Sequence, residues 1–398
     1  MTVVEHQGQT DAPRPAPPPH WRPRTDPAPL LPDAEPYRLL GLAAAPAKPG
    51  ARRTKASAKK SPAAAADPAL LRRLYAELVR GRRYNAQATA LTRQGRLAVY
   101  PSTTGQEAAE IAAALVLQDQ DWLFPSYRDT LAVVARGVDP LETLTLLRGD
   151  KHTGYDPHAT RVAPLSTPLA THLPHAVGLA HAARLRGDDV VALAMCGDGG
   201  TSEGDFHEAL NFAAVWQAPV VFLVQNNGYA ISVPLDKQTA APSLAHKAVG
   251  YGMPGRLVDG NDILALHEVL GEAVTYRLGA HTNADDATRY REAEEVEVWR
   301  AHDPVRLLER ELLALGILDE DAIDAERERA EEFAAGLRAR LNADADLHPE
   351  ELFAHVYATP TPHLAEQAEQ LRAEREAEAE GAAHDDAATH DDERESGR

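Results

Sequence analysis

Two motifs near the middle of the chain place oxygen-bearing side chains after consecutive hydrophobic segments. The first is a Gly-Asp-Gly turn around Asp198, which follows the apolar run 189–196, and the second is an Asn-Asn pair ending at Asn227, which follows the run 219–225. Carboxylate and amide oxygens are hard ligands suited to Mg²⁺, which usually completes its octahedron with water and phosphate oxygens. Asp198 and Asn227 therefore predict a magnesium site if the fold brings them together.

The elements around the two motifs determine whether they meet. The runs 189–196 and 219–225 are rich in apolar and β-branched residues and predict buried strands, and the amphipathic segment 203–217 predicts a helix between them. Parallel strands joined by one helix deliver their carboxyl ends to the same edge of a sheet, where open α/β folds bind ligands. We therefore expect Asp198 and Asn227 to converge.

The residues that follow Asp198 are suited to an anion. Gly199 and Gly200 let the main chain approach a phosphate closely, and Thr201 and Ser202 are expected to begin the next helix. Exposed N–H groups and the helix dipole favour an anion at such a position. The combination predicts a metal diphosphate, and the alternative is a tight turn beside a polar strand end in a Rossmann-like protein that binds no nucleotide.

The rest of the middle of the chain alternates between helix and strand patterns. Residues 67–95, 105–117 and 167–187 predict helices, the first with Asp67 as its N-cap. Strands that alternate with helices imply a parallel sheet with helices on both faces. We therefore predict an α/β fold of this kind over residues 66–371.

The two ends of the chain differ from the middle in composition. Residues 1–65 are proline-dense and then basic and alanine-rich, and residues 372–398 are low-complexity and acidic, so both are predicted to be disordered tails. The basic part of the first tail is interpreted as a solvated linker or as a contact arm for an acidic partner.

Composition also excludes several classes of protein. The formal net charge of −19 argues against a nucleic-acid binder, since phosphate backbones select basic surfaces. No segment approaches the ~20 apolar residues of a membrane span, and the first residues lack a secretory signal. The single cysteine, Cys196, excludes an intrachain disulfide and fits a reducing cytoplasm.

The segment GDGGTSEGDFHEALNFAAVWQAPVVFLVQNNGYAIS, residues 197–232, resembles the thiamine diphosphate motif in the α subunits of 2-oxo acid dehydrogenase (E1) enzymes. The resemblance extends from about residue 67 to about residue 370. It implies the thiamine diphosphate-binding fold, with Asp198, Asn227 and the backbone carbonyl of Tyr229 as ligands of Mg²⁺.

The same resemblance assigns further residues to the cofactor. FPSYRD, residues 124–129, is similar to a diphosphate-binding Tyr-Arg pair, and the segment from Ser166 is similar to one that contacts the aminopyrimidine end. Arginine suits a diphosphate because its fork of donors is always charged. The implied cofactor-binding residues are Tyr127, Arg128, Thr167, Leu169, Gly197, Asp198, Gly199, Gly200, Asn227, Tyr229 and His281.

Residues 275–291 resemble the mobile loop in which a family histidine reaches the cofactor and substrate, which makes His281 the expected catalytic residue. Arg277 and Asp285 are expected to position this loop. The segment before Tyr276 is shorter than in the family by roughly one strand and one helical turn. That shortening leaves open an alternative of another class, a catalytically degenerate assembly subunit.

Two other positions depart from the family pattern. His172 replaces a glutamine in the segment where branched-chain members bind a monovalent cation through residues matching Ser166, Pro168 and Thr171, so no potassium site is expected. Gln225 stands where some branched-chain relatives carry a phosphate-binding arginine, so one charged contact is absent.

The resemblance implies an activity and a set of partners. The expected reaction is oxidative decarboxylation of a branched-chain 2-oxo acid of the 3-methyl-2-oxobutanoate type, with transfer of the acyl group to a lipoyl group on E2, and pyruvate is the alternative substrate. A separate E1β subunit is expected to complete the site in an α₂β₂ heterotetramer. No nucleic acid or membrane partner is expected.

Overall fold

The chain divides into two units, residues 1–342 and 343–398, in a computed structural model that describes residues 26–40, 62–149, 154–343, 351–354 and 356–395. The predicted tail segments 1–25, 41–61 and 396–398 lie outside the described residues. All strands belong to the first unit: β1 Trp122–Phe124, β2 Ala192–Gly197, β3 Val220–Asn226, β4 Tyr229–Ala230, β5 Val233–Pro234, β6 Leu257–Asp259 and β7 Glu272–Val274.

Helices surround these strands and also form the second unit. Thirteen of the described helices lie in the first unit and two in the second. They are α1 Pro68–Arg93, α2 Glu107–Leu115, α3 Thr130–Ala135, α4 Pro140–Arg148, α5 Pro157–Thr160, α6 His172–Arg186, α7 Gly204–Trp216, α8 Leu235–Gln238, α9 Ala245–Val249, α10 Ile263–Glu268, α11 Ala293–Arg300, α12 Pro304–Leu315, α13 Glu320–Asn342, α14 Glu351–Ala354 and α15 Pro362–Glu395.

The predicted parallel sheet is confirmed, with strands in the order β1-β2-β3-β7-β6. Strands β2 and β3 are neighbours, and their last register pair joins Gly197 to Gln225. Asp198 and Asn227 therefore leave the sheet at the same edge. The helix that separates the two strands is α7, as the amphipathic pattern predicted.

Alternate residues of the strands pack on opposite faces of the sheet. In β2, Leu193 and Met195 belong to one buried cluster, whereas Ala194 and Cys196 belong to another. The second cluster includes the small residues of α6, which contacts β2. Both faces of the sheet are thus covered, which explains why its strands contain continuous apolar runs.

The first long helix begins where the sequence predicted. The Asp67 side chain accepts a hydrogen bond from the main-chain N–H of Ala69 at 2.9 Å, and Pro68 occupies the first helical position. Such caps satisfy main-chain donors that have no partner inside the helix. This confirms Asp67 as the N-cap of α1.

Residues 26–40 differ from the prediction of disorder over 1–65. Tyr37 pairs with the outer strand β6, because its N–H donates to Leu257 and its carbonyl accepts from Asp259. The carboxylate of Asp262 accepts hydrogen bonds from the N–H groups of Leu39 and Leu40, and Leu40 is buried. Main-chain pairing of this kind needs no hydrophobic periodicity, so composition alone could not reveal it.

The segment before Tyr276 retains a strand, contrary to the expectation that a strand was missing. Residues Glu272–Val274 form β7, which pairs with both β3 and β6 inside the sheet. Helix α10, which precedes this strand, is six residues long. The strand persists because its main chain is held on both sides, and it leads directly into the loop that carries His281.

The second unit contains α14 and α15. Helix α15 spans residue 372, the predicted start of the acidic tail. Among the described residues, no helix combines the length and the apolar character needed to cross a membrane.

Candidate cofactor site

A cavity of about 690 Å³ lies at the edge of the sheet where β2 and β3 end. Every residue that the sequence analysis assigned to the cofactor lines this cavity. The structure thus brings together residues separated by up to 154 positions, from Tyr127 to His281, in one concave site.

Asp198 contributes a buried carboxylate to the cavity. Its exposed fraction is 1%, and burial raises the pKa of its carboxyl, although the hydrogen bond from Gln238 opposes this effect. The Nε2 atom of Gln238 donates to Oδ2 at 2.7 Å. Within the described residues no lysine, arginine or histidine forms an ion pair with Asp198. A buried carboxylate without a cationic partner is a suitable ligand for a metal ion.

Asn227 contributes an amide oxygen beside this carboxylate. Its main-chain N–H lies close enough to stabilise the charged form of Asp198. The side chain donates through Nδ2 to Oε1 of Gln106 at 3.2 Å, and its Oδ1 accepts from the N–H of Tyr229 at 3.2 Å. One lone pair of Oδ1 is left for a further ligand.

These donors fit a partly protein-bound magnesium ion. The described residues contain no cluster of three or more His, Cys, Asp or Glu side chains that could hold a metal. One carboxylate and one amide oxygen instead match a hard cation that obtains its other ligands from water, phosphate and main-chain carbonyls. The donor set therefore suits Mg²⁺ with a diphosphate and not a metal held by the protein alone.

Two arginines and one histidine supply positive charge and donors to the same cavity. Nη2 of Arg128 lies 2.9 Å and Nη1 of Arg277 lies 3.0 Å from Nδ1 of His281. Both guanidinium groups are buried, and within the described residues neither has a salt bridge to a carboxylate. Nε of Arg277 is buried without a hydrogen-bond partner. Such a site favours an anionic ligand.

His281 is held neutral in this environment. Burial, together with the charges of Arg128 and Arg277, lowers its pKa to about 4, whereas Asp285 acts in the opposite direction. Because guanidinium groups only donate, Nδ1 must accept and the ring proton resides on Nε2. The Asp285 carboxylate accepts the main-chain N–H of His281 at 2.8 Å, so Arg277 and Asp285 both contact this residue, as expected for positioning groups.

The remaining predicted residues adjoin this group. The ring of Tyr127 meets the His281 ring edge to face, with 6.1 Å between centroids. The N–H of Tyr127 donates to the carbonyl of Ser166 at 2.8 Å, which aligns residues 166–169 beside the FPSYRD turn. Thr167 and Leu169 thereby reach the cavity wall.

Comparison with known proteins assigns the chain to a family. The family model described as "Dehydrogenase E1 component" matches residues 77–336, which is more than half of the chain. The chain belongs to the dehydrogenase E1 component family. The 3-methyl-2-oxobutanoate dehydrogenase subunit alpha of Mycobacterium tuberculosis is 46% identical over 319 residues, covering 76% of this chain and 87% of the relative. The pyruvate dehydrogenase E1 component subunit alpha of Staphylococcus aureus is 38% identical over 273 residues, covering 65% and 74%.

The glycine turn of this E1 component differs in one respect from the sequence prediction. Residues Asp198–Ser202 form a 3₁₀ turn, and the α-helix begins only at Gly204. The hydroxyl of Thr201 donates to the Asp198 carbonyl at 2.8 Å and accepts from Lys247. A Cβ on Gly199 would lie 2.7 Å from the Cβ of Ala230, so glycine here permits close packing of the turn on β4.

The segment from Ser166 is internally bonded in this E1 component. The Ser166 hydroxyl donates to the carbonyl of Pro168 at 2.8 Å, and the Thr171 hydroxyl donates to Asp205 at 2.9 Å. Nε2 of His172 lies 2.6 Å from the carbonyl of Met195, and burial lowers the pKa of this histidine. These contacts tie the segment to β2 and to α7.

Sequence reasoning missed three residues that organise the site. Gln238 holds Asp198, Gln106 holds Asn227, and the guanidinium of Arg291 donates to the carbonyls of residues 277, 278 and 279 just before His281. Arg291 is the last residue of the predicted mobile loop, 275–291. No local pattern marks either glutamine.

Proposed function

We propose that this chain is the α subunit of an E1 enzyme that oxidatively decarboxylates a branched-chain 2-oxo acid of the 3-methyl-2-oxobutanoate type. The acyl group then passes to the lipoyl group of an E2 partner. One observation carries the proposal: within the described residues, a single cavity is lined by a buried carboxylate and by two buried arginines, none of which forms a salt bridge. A Mg²⁺ diphosphate would supply a cation to the carboxylate and an anion to the arginines.

The residues of the cavity divide between the parts of this ligand. Asp198, Asn227 and the carbonyl of Tyr229 would hold Mg²⁺, and Arg128 with Arg277 would hold the diphosphate. When bound, thiamine diphosphate supplies the electron sink for loss of CO₂ from a 2-oxo acid. His281, with its proton on Nε2, would donate a hydrogen bond to a negatively charged oxygen of a bound ligand.

The mouth of the cavity suits a protein partner. Leu169, Ile231 and Val233 line the cavity and are 41%, 56% and 44% exposed, so apolar side chains surround the opening. Such a surface beside an open site is typical of an interface. We propose that an E1β subunit covers it in an α₂β₂ heterotetramer that a lipoyl domain of E2 visits. We propose a cytoplasmic location, which the single cysteine fits.

Pyruvate is the second candidate substrate. The Staphylococcus aureus relative that is named a pyruvate dehydrogenase subunit covers 65% of the chain at 38% identity, whereas the Mycobacterium tuberculosis relative named for 3-methyl-2-oxobutanoate covers 76% at 46%. The higher similarity favours the branched-chain acid. A pocket distinguishes a methyl from an isopropyl group by only a few kcal/mol, so the substrate must be measured.

Reconstitution tests the proposal directly. The full chain is assembled with its E1β partner and a lipoylated E2 domain, and reduction of the lipoyl group is compared for 3-methyl-2-oxobutanoate and pyruvate. We expect turnover only with both subunits, Mg²⁺ and thiamine diphosphate, and a higher kcat/KM for the branched acid. Robust decarboxylation by this chain alone would refute the heteromeric site. Cofactor binding without turnover of any 2-oxo acid would instead identify a degenerate assembly subunit.

A further inference from the structure

A row of buried side chains joins the magnesium side of the cavity to the FPSYRD turn. Gln106, Gln225, Asn227 and Asp129 are 1%, 2%, 5% and 0% exposed, so water does not replace their mutual hydrogen bonds. Neither Gln106 nor Gln225 is among the residues expected to contact the cofactor or the metal. Their hydrogen bonds form one continuous network from Asn227 to Asp129.

The direction of these hydrogen bonds is set at Asp129. Its Oδ2 accepts the main-chain N–H of Ser126 at 2.7 Å, and its Oδ1 accepts from Nε2 of Gln225 at 2.5 Å. Burial raises the pKa of the Asp129 carboxyl, but the hydrogen bonds from Ser126 and Gln225 favour its charged form, which only accepts. Gln225 accordingly turns its nitrogen towards Asp129 and its oxygen away. The orientation of the Gln225 amide is therefore fixed.

The orientation of the Gln225 amide sets that of the Gln106 amide, which in turn sets that of the Asn227 amide. Oε1 of Gln225 accepts from Nε2 of Gln106 at 3.1 Å, which turns Oε1 of Gln106 towards Asn227. Nδ2 of Asn227 donates to that oxygen at 3.2 Å, so Oδ1 of Asn227 occupies the other side of its amide. Donation from the N–H of Tyr229 to the same Oδ1 agrees with this orientation.

We propose that Gln106 and Gln225 are positioning residues that, anchored by Asp129, hold Asn227 with its amide oxygen towards the cation site. The proposal rests on the magnesium diphosphate site of the proposed function. A flipped Asn227 would present an NH₂ group, which cannot ligate a cation, so the orientation of one amide decides whether the ligand set is complete. Asp129 also adjoins Arg128, so the same row links the metal side of the site to the phosphate-binding turn.

Magnesium titration of the reconstituted assembly tests this role without using turnover. Thiamine diphosphate is kept at a fixed concentration, Mg²⁺ is titrated, and cofactor binding is followed by calorimetry. In Gln106→Met, which keeps length but loses both hydrogen bonds, we expect half-saturating Mg²⁺ to rise about 10- to 100-fold, the usual effect of losing a group that orients a metal ligand. Gln106→Glu keeps an acceptor for Asn227 and should return the value towards wild type.

Two further variants separate orientation from general damage. Asp129→Asn has nearly the same shape but is no longer an acceptor at both atoms, so it should also raise the half-saturating Mg²⁺ concentration. Gln87→Met makes the same substitution at a glutamine of α1 that is 2% exposed and accepts from Arg83, and it should leave the value unchanged. Wild-type magnesium dependence in Gln106→Met, or in Asp129→Asn should the first variant fail to fold, would overturn the proposal. Absence of magnesium-dependent cofactor binding in the wild type would overturn the proposed function itself.

Discussion

Arg128 and His281 are 153 positions apart in the chain, yet a guanidinium nitrogen of the first lies 2.9 Å from a ring nitrogen of the second. Arg128 also donates to the carbonyls of Ser102 and His281, at 3.0 and 3.1 Å. One side chain therefore joins the FPSYRD turn to the loop after β7. The loop carrying His281 is thus held against the cavity by the residue expected to bind the diphosphate.

Replacing Arg128 tests its proposed contact with the diphosphate. In Arg128→Gln we expect the Kd of thiamine diphosphate at saturating Mg²⁺ to rise by roughly 10- to 100-fold, because a hydrogen bond to a charged group contributes about 1.5–3 kcal/mol. Calorimetry on the reconstituted assembly measures it. Arg186→Gln is the matched control, since that arginine is exposed and pairs only with Asp188 at 2.7 Å. An unchanged Kd in Arg128→Gln would remove Arg128 from the site.

The lowered pKa of His281 predicts how stability depends on pH. Its pKa is about 4 in the folded chain against 6.5 for an unperturbed histidine. Between these values the unfolded state binds more protons, so the contribution of His281 to stability is present above pH 6.5 and is lost as pH falls towards 4. We therefore expect the melting temperature of the cofactor-free protein to fall less steeply over this interval in His281→Gln than in wild type.

A control distinguishes this effect from the general response to acid. His363→Gln changes an exposed histidine of α15 and should reproduce the wild-type slope. Superimposable melting profiles for wild type and His281→Gln between pH 4 and 6.5 would show that His281 is not held neutral.

The hydrogen bonds of the segment from Ser166 predict that potassium has no effect on the cofactor. The hydroxyl of Ser166 is directed at the carbonyl of Pro168, and the neutral ring of His172 donates to the carbonyl of Met195. His172, which replaces a glutamine of this segment, offers no oxygen to a monovalent cation. We expect the same Kd of thiamine diphosphate in KCl and in choline chloride at equal ionic strength, and tighter binding in KCl alone would contradict this.

The parts of the site that depend on local sequence were predictable. The hydrophobic runs 189–196 and 219–225 predicted two strands. Because Asp198 and Asn227 follow these runs directly, both were expected at the same edge of the sheet. The 3₁₀ turn after Asp198 was not predicted, because close packing on Ala230 decides where α7 begins.

Contacts between distant segments could not be predicted from local patterns. Gln106 and Gln225 are 119 positions apart, and nothing near either glutamine indicates that their amides meet. The pairing of Tyr37 with β6 likewise uses main-chain groups that every residue carries. The strand before Tyr276 forms because its main chain pairs with β3 on one side and β6 on the other, which the local sequence does not show.

The Asp198 carboxylate is expected to lower the stability of the cofactor-free chain and to strengthen binding of Mg²⁺ and thiamine diphosphate. Burial raises the pKa of its carboxyl, which means that the folded cofactor-free chain is destabilised when this group is charged at neutral pH. Asp198→Asn keeps the shape and removes the charge. We therefore expect the variant to melt at a higher temperature than wild type without ligands, yet to gain nothing on addition of Mg²⁺ and thiamine diphosphate, since a functional ligand is lost.

The opposed signs of these two shifts make the experiment decisive. A variant that was merely misfolded would melt lower in both conditions, and Asp205→Asn provides the control for loss of a nearby carboxylate that bonds Thr171 instead of facing the cavity. Thermal denaturation of the assembled subunits at pH 7, with and without both ligands, measures each shift. Ligand stabilisation of Asp198→Asn equal to that of wild type would show that this carboxylate holds no metal, and with it the magnesium site proposed for this edge of the sheet would fail.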